Sequence, residues 1–152
     1  MLCFAFAIGT KYKKYLAMGL SELEEYLAFL KHIKGRVYLN AEDYRTASLG
    51  FESQLLSELG FIEAIKEGRP LHSAYEKAKE RMLLPSQADS VIDECFASLG
   101  KADVATETRT LQLCIEELNR ICCELKESVH KKTRSAFALL FASGLGLVIL
   151  LV

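Results

Sequence analysis

The chain has 152 residues, with 20 acidic and 19 basic side chains and a formal net charge of −1. That near balance supplies no long-range field to draw the chain onto nucleic acid, and the basic side chains interleave with acids instead of forming a stripe. Proline occurs twice and tryptophan not at all. Few runs alternate with period two, so the composition favours an all-α domain.

Residues 1–9, MLCFAFAIG, are apolar but too short to span a bilayer. Lys11, Lys13 and Lys14 follow them. A signal peptide carries its charge before the apolar run, so this order argues against one. The segment reads either as the last half of a membrane helix or as a short interfacial anchor.

An amphipathic helix comes next, with Leu16, Leu20, Leu23, Leu27 and Leu30 on one face. Ser21 and Glu24 fit a capping box, which allows a start at Ser21. Gly35 is expected to end or interrupt the helix, and Val37, Tyr38 and Leu39 suit either an extended piece or a helix tail. Asn40 is the expected N-cap of the following helix, with Glu42 and Asp43 in its first turn. That helix carries Tyr44, Ala47, Phe51, Leu55 and Leu59 at near-helical spacing, with Gly50 inside it. A break at Gly60 and a short turn through Phe61, Ile62 and Ile65 lead to Gly68.

Pro70 is expected at the first helical position of the next element, whose apolar side is Leu71, Ala74, Tyr75, Ala78 and Met82. Pro85 stops it and Ser86 caps its successor, which turns Val91, Ile92, Cys95 and Leu99 inward and ends at Gly100. Beyond the LGKAD link, a long helix begins near Thr106. Leu111, Ile115, Leu118, Cys122, Leu125 and Val129 form its seam, and no breaker interrupts the run to Val152.

The last eighteen residues, 135–152, read SAFALLFASGLGLVILLV without a charge. As a helix they reach roughly 27 Å, close to the roughly 30 Å hydrocarbon core of a bilayer. Lys131, Lys132 and Arg134 stand just before them, the flank expected on the cytoplasmic side. Ala142 and Gly146 form a small-xxx-small pair, a weak signal for a close helix approach. The expected organisation is therefore an apolar segment 1–9, a cytoplasmic helical domain 10–134 and a transmembrane helix 135–152. The fold class is an antiparallel helical bundle whose long C-terminal helix continues into the anchor.

The five cysteines are Cys3, Cys95, Cys114, Cys122 and Cys123. No CxxC pair occurs, and Cys114 and Cys122 fall on apolar stripes, so the thiols are read as packing groups and not as metal ligands. No P-loop, GxGxxG, GxSxG or HExxH motif is present. The histidines, His32, His72 and His130, lie in amphipathic helices or at their edges. Adjacent carboxylates such as Asp93 and Glu94 splay about 100° apart on a helix, which does not make a shared site. The residues thus point to no catalysis, cofactor or metal.

Three pieces carry a resemblance. LGKAD (Leu99, Gly100, Lys101, Ala102, Asp103) looks like an LG-x-x-D turn between two helices. GRPLHSAYEKA, residues 68–78, is similar to the G-x-P-L-x-x-A pattern of secretion platforms. The third piece is the basic flank with its GLGLVILLV tail. In this order they resemble the stage III sporulation protein AB family of endospore-forming bacteria, itself related to the inner-membrane platform protein of type II secretion and type IV pilus machines. The chain departs from the family pattern in lacking most of a first membrane helix and a middle-domain Trp.

The resemblance implies a non-catalytic platform in the mother-cell membrane, part of a channel to the forespore. Its expected partners are a secretion-type ATPase, other membrane proteins of that channel, and possible further copies of itself. The two helix links supply the interaction candidates Gly68, Pro70, Leu71, Leu99, Gly100, Lys101 and Asp103. Their glycines are read first as backbone geometry, with partner contact as the alternative. Two other classes remain open: a tail-anchored adaptor that dimerises through the 111–129 seam as a coiled coil, and a small membrane enzyme.

Overall fold

The structure, a computed structural model, describes the backbone of residues 2–40 and 42–151 and the side chains of residues 14–39 and 42–129. Its helices are α1 (Leu2–Asn40), α2 (Tyr44–Leu49), α3 (Gln54–Glu58), α4 (Phe61–Lys66), α5 (Leu71–Lys79), α6 (Ser86–Ser98) and α7 (Val104–Leu151). Among the described residues there is no strand, as the composition requires.

Helix α1 is continuous for 39 residues. Neither Ser21 nor Gly35 divides it, and the stretch at Val37 is helical to its end. Ile33 and Val37 are buried on either side of Gly35. Their packing outweighs the penalty of about 1 kcal/mol that glycine carries inside a helix. Leu23, Leu27 and Leu30 are buried as their spacing implies.

The centre of the core is aromatic. Tyr26 packs edge-on against Phe61 and Tyr75 at 5.2 and 5.5 Å between ring centroids. Phe29 meets Phe61 at 5.0 Å and Phe51 at 5.3 Å. Phe96 stacks on Phe61 at 5.7 Å. Each such ring contributes about 1.5–3 kcal/mol by leaving water, and edge-to-face pairing adds about 0.5–1.5 kcal/mol.

The helix expected from Asn40 to Leu59 is two short ones. Asn40 is the last residue of α1, and Asp43 caps α2 by accepting from the Arg45 N–H at 2.9 Å. Gly50 ends α2, and Ser53 starts α3 by accepting from the Leu56 N–H at 3.2 Å. Ala47 is buried and Tyr44, Phe51 and Leu59 pack against the core as expected, but the break at Gly50 shifts the phase so that Leu56 is buried in place of Leu55. Pro70 and Pro85 stand at the N-caps of α5 and α6, one place earlier than expected, so Ser86 lies inside α6. Helix α5 ends at Lys79, well before Pro85. The chain from Glu80 to Leu84 is fixed instead by Glu22 of α1, whose carboxylate is buried and accepts from the Leu83 N–H at 2.6 Å.

Helix α7 runs the 48 residues from Val104 to Leu151 as one rod, about 70 Å long. It packs most extensively on α1. Glu24 pairs with Lys126 at 2.6 Å, Lys31 with Asn119 at 3.5 Å, and Lys34 with Gln112. One number falls as the other rises, so the two helices are antiparallel. Leu111, Ile115, Leu118 and Cys122 of the seam are buried in this packing. Seam residues spent inside the chain are not free to zip a dimer, which counts against the coiled-coil adaptor. Antiparallel pairing also brings the N-terminal end of α1 and the C-terminal end of α7 to one end of the bundle.

Among the described residues no helix is long and apolar enough to cross a membrane. The segments 1–9 and 135–152 and the flank Lys131, Lys132 and Arg134 lie outside the residues whose side chains are described.

Candidate functional site

Two links meet at the other end of the bundle. The first joins α4 to α5. The chain reverses at Gly68 with φ +88°, a conformation that side chains with a Cβ rarely adopt. Arg45 of α2 lies over that turn and donates from Nη2 to the Gly68 carbonyl at 3.3 Å. A Cβ on Gly68 would stand 2.6 Å from the same nitrogen. At the start of α2 the Asp43 carboxyl accepts from the Arg45 backbone N–H, which holds it below the usual carboxylate range. Pro70 then sets the extended backbone from which Leu71 begins α5.

The second link is LGKAD, between α6 and α7. Leu99 closes α6 by donating its N–H to the Cys95 carbonyl at 3.2 Å, and Gly100 turns the chain at φ +81°. Asp103 accepts from the Thr106 N–H at 3.2 Å and from its hydroxyl at 2.7 Å, starting α7. These bonds keep its carboxyl ionised below the usual range. Glu107, one turn further on, is buried and reaches back into the link. Its Oε1 accepts from the Gly100 N–H at 2.7 Å and the Ala102 N–H at 3.1 Å. The link is thus a closed turn tied to the first turn of α7.

Gly68, Pro70, Leu71, Leu99, Gly100 and Lys101 line a single groove of about 560 Å³. Asp103 lies beside it and shapes the link instead. Ile65 and Phe96 form part of its apolar floor, and Asp43, Arg45 and Arg69 stand with Lys101 among its charged lining. Basic groups outnumber acidic ones there. From the start of α7 to residue 135 the helix rises about 45–50 Å, so the groove lies far from the apolar 135–152 stretch.

Cys95, Cys114 and Cys122 pack as expected, whereas Cys123 is exposed. Cys95 is buried, and a bond from its thiol to Cys114, with burial added, raises it above the ordinary thiol range. The same bond lowers Cys114, and burial raises Cys122. Cys3 lies outside the residues with described side chains. His32 rests against the Phe51 ring at 5.4 Å between centroids.

Two features of this end escape sequence reading. Glu107 is an ordinary first-turn acid in the sequence, and only the turn before it shows what it holds. His72, Glu76 and Asp93 converge across α5 and α6, with one ligand-type atom from each lying within 4.8 Å of the others. The i, i+4 spacing of His72 and Glu76 is a local signal, but nothing local places Asp93 beside them.

No curated protein and no solved structure matches the chain. A family model for stage III sporulation protein AB matches residues 1–152, the whole chain. With the helical bundle and its two turn-forming links in place, the chain belongs to the stage III sporulation protein AB family.

Proposed function

We propose that this sporulation-family chain is a non-catalytic, membrane-anchored platform that offers a docking groove to a cytoplasmic partner. The carrying observation is the convergence of two links, far apart in the chain, on one groove at the end of the bundle away from residues 135–152. The partner surface that fits is apolar with acidic residues at its edge, matching the floor at Ile65 and Phe96 and the cations Arg45, Arg69 and Lys101. A secretion-type ATPase or another membrane protein of a channel between mother cell and forespore is the proposed occupant. The related secretion platforms that the G-x-P-L-x-x-A pattern resembles motivate that choice.

The anchor is the apolar 135–152 helix, with Lys131, Lys132 and Arg134 keeping the bundle on the cytoplasmic, mother-cell side. Segment 1–9 emerges at the same end of the bundle and touches the same bilayer. An unbroken α7 would set the groove at a fixed height above the membrane.

The test is capture from sporulating cells with the tagged full-length protein in detergent. Recovery of a secretion-type ATPase or channel proteins, and its loss in Arg69→Glu/Lys101→Glu, is the expected result. Recovery of the protein only with itself, as an elongated dimer, would return the reading to an adaptor.

A further inference from the structure

The face shared by α5 and α6 carries side chains that the platform reading does not use. His72 and Glu76 stand one turn apart on α5, and Asp93 faces them from α6. His72 Nε2 and Asp93 Oδ1 are 3.1 Å apart. That carboxylate oxygen is shielded from water and has no hydrogen-bond partner. The two form an ion pair only when the imidazole is protonated, and with a neutral imidazole the carboxylate oxygen is left without a partner. An unsatisfied buried carboxylate oxygen is costly, and a cation between the two removes the cost.

The 3.1 Å separation is slightly shorter than that of two donors on one metal, a gap that a small side-chain rotation closes. Bonds of about 2.0–2.2 Å to a nitrogen and an oxygen at tetrahedral angles separate the two donors by roughly 3.3–3.5 Å. Glu76 is exposed and on a flexible stem, so a rotamer change brings its carboxylate to the same point. The surroundings are anionic, with Asp89 on the same side. Asp89 is itself engaged, accepting from the Tyr75 hydroxyl at 2.7 Å and pairing with Lys79 at 3.2 Å. Lys79 is the competing cation: its ammonium also lies 3.6 Å from Glu76 Oε1. A divalent ion that takes Glu76 leaves Lys79 its closer partner Asp89.

We propose that His72, Glu76 and Asp93 form a binding site for a divalent first-row transition metal of the zinc class, with water completing the coordination. One imidazole and two carboxylates from two helices make a borderline donor set, which favours such an ion over calcium or magnesium. The metal would clamp α5 to α6. His72 also lines the groove, so the clamp would fix one groove wall. The proposal is independent of the platform reading.

The experiment uses the full-length protein in detergent, stripped with a chelator and titrated calorimetrically with Zn²⁺. Expected is one equivalent bound, a raised Tm, and no comparable effect of Mg²⁺. Affinity should fall at least about tenfold in both His72→Gln and Asp93→Asn, with helicity of the metal-free variants unchanged by circular dichroism. His32→Gln should bind as the parent does. Co²⁺ in place of Zn²⁺ should give d–d bands without a thiolate charge-transfer band. Absence of binding, equal binding by both ligand variants, or a thiolate band from the cysteines would each overturn the assignment.

Discussion

Tyr26 sits at the middle of the aromatic cluster, fully buried, and its hydroxyl has no hydrogen-bond partner. Burial, with the nearby Glu22 charge added, drives its ionisation far above the ordinary range, so it is a neutral ring with an unsatisfied polar atom. Removing that atom while keeping the ring should not cost stability. Tyr26→Phe is expected to be neutral or stabilising by up to about 1 kcal/mol in chemical denaturation, whereas Tyr26→Ala should lose about 3–5 kcal/mol. Glu22 is the opposite case, a buried acid with a purpose. Desolvation raises its pKa above the ordinary 4.5, partly opposed by the Leu83 N–H it accepts from. The folded state therefore holds the proton more tightly than the unfolded chain. The stability this confers is complete below about pH 4.5 and is lost as pH rises through the folded value. In Glu22→Gln the loss disappears, so the Tm difference between variant and parent should grow in favour of the variant from about pH 4.5 toward neutrality. A constant difference across that range would remove Glu22 as the source.

At the scale of elements, the short helices and their links do the positioning. Glu107 ties the LGKAD turn to α7 through two backbone N–H groups, so Glu107→Ala leaves two donors without their partner. A loss of about 1–3 kcal/mol is expected, read by thermal unfolding, together with weaker partner capture because Leu99 and Lys101 lose their fixed place in the groove. Glu107→Gln retains an acceptor oxygen and should recover part of both. The links were visible in the sequence because glycine and proline punctuate them: Gly68 and Gly100 occupy the positive-φ turns their chemistry favours, and Pro70 marks the helix start from one place before the position expected. Glu107 and Asp93 were not visible, since each acquires its role from a segment elsewhere in space. The first-turn candidates also misled where two capping residues compete. Asn40 and Asp43 both suit an N-cap, and α1 settles the matter by running through Asn40, leaving Asp43 to start α2.

For the whole molecule, the antiparallel pairing of α1 and α7 is the governing feature. It spends the 111–122 seam inside the chain, puts both apolar terminal segments at one end, and leaves the groove at the other. If the 135–152 helix is the anchor, deleting it should move the protein from the membrane to the soluble fraction of sporulating cells. Thermal unfolding of the remaining bundle should be unchanged, because the core residues from Leu23 to Cys122 all precede it. Retention on the membrane after deletion would assign anchoring to segment 1–9.

What the sequence by itself determined was periodicity and punctuation. Leu23, Leu27 and Leu30 on α1, and Leu111, Ile115, Leu118 and Cys122 on α7, are core because their spacing matches the turn of a helix. The all-helical class follows from the same pattern, and the order of the LGKAD and GRPLHSAYEKA pieces pointed to the family. Tertiary structure alone decided that α1 ignores Gly35, since burial of Ile33 and Val37 outweighs a local penalty. It decided that the α7 seam meets α1 and not a second copy, because the same apolar stripe satisfies either partner. It also decided that two links separated by more than a helix share one groove, a long-range coincidence no local pattern encodes.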